Sequence, residues 1–206
     1  MKYVQLIGKP LRIERGPCAL PQAQPGISGF SKLSRRELAK HGWYPWREVA
    51  APAHDPRKER LVSEVAIDTE GFAHPVHTLR ALSDTELGES LERARAEKIA
   101  QLAACRYQAE TAGVIWRGHR FASDRESVSA VSIAALQGHA QRWKCADGQW
   151  VRLDAEALQA LAEVLADHRR CCFAREADLH DLIVEAKDFD ALDAVELEAG
   201  WPSSLV

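Results

Sequence analysis

Leu158, Leu165, Cys172 and Leu179 stand seven residues apart in a proline-free stretch that opens at Asp154, a good N-cap. Leu161 and Leu182 occupy the intermediate positions at either end of the series. No strand has this period, so the stretch must be a long helix with an apolar seam. Such a seam implies a long partner over much of its length. Between Leu161 and Leu182 the matching positions are His168 and Arg175, and their polarity implies a local break. Whatever else the chain does, it must supply this helix with a face to pack on.

The elements around it suggest where that face comes from. Residues 113–121 read as two short strands about Arg117-Gly118. Ser123-Asp124-Arg125-Glu126 reads as a capping box opening a helix to about Gly138, with Val128, Val131, Ile133, Ala134 and Ala135 as its apolar set. Residues 141–153 form a hairpin with Asp147-Gly148 in the turn, and Trp143, Cys145, Trp150 and Arg152 lie at alternate positions of its arms. Leu158, Leu161, Leu165, Leu179 and Leu182 are expected to face that helix and hairpin. A last short helix over 191–197 ends before Gly200-Trp201-Pro202.

Upstream, residues 84–112 lack proline and are rich in alanine and charge, with Asp84 as a candidate N-cap. They predict a helix of roughly 43 Å. Its apolar stripe is thin, running through Leu87, Leu91 and Ala94 and shifting to Ile99, Leu102 and Cys105. Two readings stay open: a solvated connector, or a self-associating coiled coil that makes the protein a homo-oligomer.

Residues 1–83 read as short strands broken by turns. A first strand is expected within 1–7. Between Gly16 and Gly29 three prolines and three glycines exclude a helix or a central strand. A short helix over 34–41 has Ser34 and Glu37 as its capping box and Gly42 as its stop. Residues 59–68 and 72–81 predict a hairpin about Thr69-Glu70-Gly71. Trp43, Tyr44 and Trp46 flank Pro45, and Leu20, Ile27 and Phe30 are scattered through the proline-rich strip. These six are the candidate partner-binding residues, on the reading that aromatics beside proline make exposed anchors; a small local core is the alternative. The expected architecture is α+β: a strand-rich docking module (1–83), a connecting or oligomerisation helix (84–112) and a C-terminal helix-hairpin-helix domain (113–206).

Composition narrows the function classes. A net charge of −3 gives no global field to recruit nucleic acid or an anionic membrane. No apolar run approaches the roughly 20 residues of a membrane span. Lys9, Arg12, Glu14 and Arg15 interrupt any apolar core of a signal peptide, so the chain is expected to be made in the cytosol. Five cysteines without a C-x-x-C pair read as reduced thiols.

No chemistry-bearing motif stands out. His168 and Cys172 share a helix face beside Cys171, but zinc needs further ligands, and His180 lies about 18 Å along the same axis. His74 and His77 fall on opposite faces of a strand. Ser123, Asp124 and His119 are close in sequence, yet the first two are better explained as capping oxygens. Asp178 and Asp181 lie on a solvated face, and nucleophile elbows and phosphate loops are absent. No catalytic, metal or cofactor residue is expected, and a small hydrolase or metal enzyme is the second alternative.

Residues 116–127, W-R-G-H-R-F-A-S-D-R-E-S, resemble the helix-opening signature of a C-terminal domain of unknown function in proteins encoded beside tail-fibre genes of tailed bacteriophages. The hairpin Trp143-Lys-Cys-Ala-Asp-Gly-Gln-Trp-Val-Arg-Leu153, the central His168 and the Gly200-Trp201-Pro202 ending follow in the family's order. Gly42-Trp43-Tyr44-Pro45 and the Asp55-Pro56 turn resemble the front half of such proteins. The resemblance implies a virion protein: a non-enzymatic structural component of the phage tail near the fibre or receptor-binding end. A tail-fibre assembly chaperone is the alternative. It also implies other tail or fibre proteins as partners, and a trimer by analogy with fibre-region proteins.

Overall fold

The computed structural model describes residues 1–203 and has a mixed α+β architecture of five α-helices and four small antiparallel sheets among those residues. The chain divides into two compact units, Met1–Ser90 and Leu91–Val206. The boundary falls inside the helix expected as a separate connector, not at its ends.

In the N-terminal unit β1 (Tyr3–Ile7) lies between β2 (Arg12–Cys18) and β3 (Trp43–Pro45). β2 runs into the proline-rich strip and is an edge strand, where Pro17 costs no ladder bond. β3 was not expected; only its pairing with β1 makes it a strand. α1 (Arg35–Lys40) has the predicted capping box: the Ser34 N–H donates to Glu37 at 2.8 Å, and the Glu37 N–H donates to the Ser34 hydroxyl. Gly42 then takes φ +76°, and a Cβ there would meet the Leu6 carbonyl at 2.7 Å, so only glycine fits between α1 and β3.

β4 (Glu59–Ile67) and β5 (Ala73–Ala81) pair over nine residues. A two-stranded ribbon is marginal alone. At the turn end Val65, Ile67 and Ala73 pack on Val4 and Leu6. At the other end Arg60 and Arg80 face each other across the strands and both reach the Glu86 carboxylate, at 3.0 and 2.8 Å. Glu86 also accepts the Ser83 N–H, and its own N–H donates to the Ser83 hydroxyl, so the cap of α2 (Asp84–Thr111) is Ser83, not Asp84.

In the C-terminal unit the later turns of α2 are followed by β6 (Val114–Trp116), β7 (His119–Phe121), α3 (Arg125–Gln137), β8 (Gln141–Lys144), β9 (Trp150–Leu153), α4 (Ala155–Glu185) and α5 (Phe189–Asp193). α5 sits earlier than the expected 191–197. The seam of α4 serves two cores. Leu158, Leu161 and Leu165 pack with Val131 and Ala134 of α3 and with Cys145 and Leu153 of the hairpin, as expected. Leu179 does not; it packs with Leu102 of α2, Ile183, Ala186 and Leu192.

Leu182 corrects the sequence reading more sharply, being 51% exposed while Ile183 is buried. A straight helix of 3.6 residues per turn drifts about 20° per heptad, so after three heptads the buried face has moved on by one position. The thin stripe of α2 is likewise occupied. Leu91, Ala94, Ile99 and Leu102 are covered by α4 and the segment through Val195, Leu197 and Trp201 of the same chain. These four residues therefore need no second copy to cover them.

Candidate functional site

The six residues expected to anchor a partner divide between two small cores of the N-terminal unit. Strand alternation does this: β3 pairs Trp43 with Gln5 and Tyr44 with Val4. Trp43 thus points to one face of the sheet and Tyr44 and Trp46 to the other. Phe30 and Trp43 are fully buried with Leu38, their rings edge to face at 6.2 Å, and Leu20 and Ile27 pack around them. Tyr44 and Trp46 are half-buried against Val4, Leu6 and Ala73. No common exposed patch results; for Phe30 and Trp43 this corrects the anchor reading in favour of a local core. The Trp43 indole N–H has no hydrogen-bond partner among the described residues.

The C-terminal unit is tied by a buried charge. Glu110, in the last turn of α2, is 1% exposed. A carboxylate there opposes the helix dipole and needs compensation. Arg106, one turn back, contacts one of its oxygens; Arg169 of α4 lies 3.2 Å from the other, and Arg125 at the start of α3 lies 3.9 Å from it. Arg106 also meets Glu176 at 3.3 Å, and the Phe173 ring lies under the guanidinium groups of Arg106 and Arg169. Three helices therefore converge on one carboxylate.

The serine of the helix-opening signature closes this junction. Ser123 Oγ donates to the Glu110 carbonyl and accepts the Gly113 N–H at 2.9 Å, satisfying groups at the end of α2. Asp124, not Ser123, caps α3 by accepting the Ser127 N–H. Neither residue is left as a nucleophile or an acid for His119. The α4 pair of His168 and Cys172 is equally committed. His168 Nε2 lies 3.1 Å from the Ala109 carbonyl, so that nitrogen carries the proton. The Cys172 thiol is fully buried, 3.9 Å from the same nitrogen, and burial together with the nearby Glu110 charge pushes its pKa up to about 11. It is protonated at neutral pH. Asp178 and Asp181 are exposed. Among the described residues no three His, Cys, Asp or Glu side chains come together as a metal site, and no helix is long and apolar enough to cross a membrane.

The open face of the β8–β9 hairpin is different. Its inner face sends Trp143, Val151 and Leu153 into the core. Its outer face presents Arg142 opposite Arg152 and Lys144 opposite Trp150, all exposed. The Arg142 guanidinium lies 5.4 Å from the Trp150 ring. The period-two alternation of 142, 144, 150 and 152 carries this grouping in the sequence; the anchor reading missed it by weighing aromatics beside proline instead.

A family model described as a domain of unknown function (DUF4376) matches residues 93–199. No curated protein and no solved structure matches the chain. The matched span nearly coincides with the C-terminal compact unit and takes in Glu110, Ser123, the β8–β9 hairpin and His168, while Gly200-Trp201-Pro202 falls just beyond it. Because that span is just over half of the 206 residues and holds the framework from the later turns of α2 to α5, the chain belongs to the DUF4376 family.

Proposed function

We propose that the protein is a non-enzymatic structural component of a phage tail, placed near the fibre or receptor-binding end and acting as a connector between other tail or fibre proteins. One observation carries the reading: the signature residues that resemble phage proteins are spent on framework. Trp116 and Phe121 are core residues in edge-to-face contact, Ser123 closes α2, Asp124 caps α3, and Asp147-Gly148 makes the hairpin turn. A domain whose shared residues specify a scaffold suits an assembly role better than a reaction. In this reading the C-terminal helix-hairpin-helix domain is the common platform and the N-terminal unit is the attachment module. Self-association into a homo-oligomer, a trimer in this reading, uses faces other than the covered stripe of α2.

Quantitative mass spectrometry of purified virions tests the proposal. A structural component is recovered in fixed ratio to the other tail proteins. Recovery from infected cells but not from particles contradicts the proposal and identifies an assembly chaperone.

A further inference from the structure

The outer face of the β8–β9 hairpin carries an electrostatic conflict that the fold does not resolve. Arg142 and Arg152 sit directly opposite each other, and like charges so placed destabilise a two-stranded sheet. Neither they nor Lys144 has a carboxylate partner among the described residues, whereas Arg60 and Arg80, equally opposed, share Glu86. Three uncompensated cations thus surround an indole that is 57% exposed. Beside them lies a concavity of about 410 Å³, walled by Trp143, Trp150, Arg142 and Lys144 on the hairpin side and by Glu126 and Ser127 on the first turn of α3. That is the size of a small-ligand site.

We infer that this concavity binds an acid-bearing sugar ring of an anionic oligosaccharide. The chemistry of the wall selects it. The exposed indole offers an apolar plane to the C–H face of a pyranose. Arg142 and Lys144 supply charge-assisted bonds to a carboxylate or sulfate, and Glu126 with the Ser127 hydroxyl supplies acceptors for ring hydroxyls. A nucleic-acid strand fits less well, because its continuous phosphate backbone would meet Glu126 on the α3 wall. An acidic peptide would use the cations but leave Glu126 as a repulsive neighbour. The inference goes beyond the tail reading and stands without it.

The test uses the full chain labelled with nitrogen-15. The Trp150 indole N–H resonance is identified by its loss in Trp150→Phe. Trigalacturonate and a sulfated chondroitin disaccharide are titrated, with cellotriose, a ten-residue thymidine strand and tetraglutamate as comparisons. At least one anionic sugar is expected to shift the Trp150 resonance saturably. In Arg142→Gln/Lys144→Gln the affinity is expected to fall about tenfold or more, with the other indole resonances in place to report an intact fold. The inference is overturned if neither anionic sugar shifts the resonance at millimolar concentration, or if cellotriose binds as well. Tighter binding of the thymidine strand or of tetraglutamate also overturns it, as does full retention of affinity in the double variant.

Discussion

Trp43 and Trp150 both sit in strands, both lie within three residues of another tryptophan or a basic side chain, and they have opposite fates. Trp43 is drawn into a core because β1 pairs with β3 and turns it inward onto Phe30 and Leu38. Trp150 is held outward because its strand neighbours Val151 and Leu153 take the inner face of a two-stranded hairpin. Proline and aromatic content point to the first as the exposed tryptophan; the pairing of strands exposes the second instead. An aromatic residue's role is set by which face its strand partner leaves open, and for β3 that partner is some forty positions away in the sequence.

The comparison breaks first on stability. Trp43→Ala should cost about 3–5 kcal/mol, as large core aromatics do, whereas Trp150→Ala should stay within about 0.5 kcal/mol. Urea denaturation of both variants measures this, and equal losses would mean that the two tryptophans are packed alike. The two ends of the α4 seam give a parallel contrast. Leu165→Ala should cost about 2–5 kcal/mol and Leu182→Ala no more than about 0.5 kcal/mol, because drift of the helix has moved burial to Ile183.

Much of the local structure is legible in the sequence and the long-range part is not. The capping box of α1, the turn of β4–β5 and the Asp147-Gly148 hairpin are short-range chemistry, and each lies where its residues place it. β3 is a strand only through its register with β1, some forty positions away, which no local signal encodes. Leu182 was misread because a heptad is an approximation to 3.6 residues per turn. For the site, alternation along residues 141–153 contains the basic and aromatic face, but only the packing of Trp143 and Val151 says which of the two faces is open. Glu110 left a faint signal, an acid in the last turn of a helix with an arginine four residues before it.

The two charged junctions extend the comparison to smaller effects. Glu110→Gln leaves Arg106 and Arg169 without their shared counter-charge and should cost about 2–3 kcal/mol in the C-terminal unit, below the usual cost of breaking a buried pair because Arg169 is partly exposed. Thermal denaturation checks it; an unchanged midpoint would mean that the junction is solvated. In the N-terminal unit the Arg80 guanidinium, then the Ser83 N–H and hydroxyl, lower the Glu86 pKa from the usual 4.5 to about 2. A lowered carboxyl pKa gives stability that is fully present above pH 4.5 and is lost as pH falls toward 2. The parent protein should therefore lose stability more steeply than Glu86→Gln between pH 5 and about 2. Parallel curves would show that Glu86 does not hold the base of the ribbon.

The central claim is that the chain spends its N-terminal tryptophans on its own fold and offers the hairpin tryptophan to a partner. Hydroxyl-radical footprinting of the isolated full chain, with oxidation read tryptophan by tryptophan, measures that allocation directly. Trp150 should oxidise fastest of the six and Trp43 among the slowest, and protection on binding of an anionic oligosaccharide should be confined to Trp150 and Trp143, the two that wall the concavity. Oxidation of Trp43 as fast as that of Trp150 would contradict the claim and return the binding surface to the segment around Pro45.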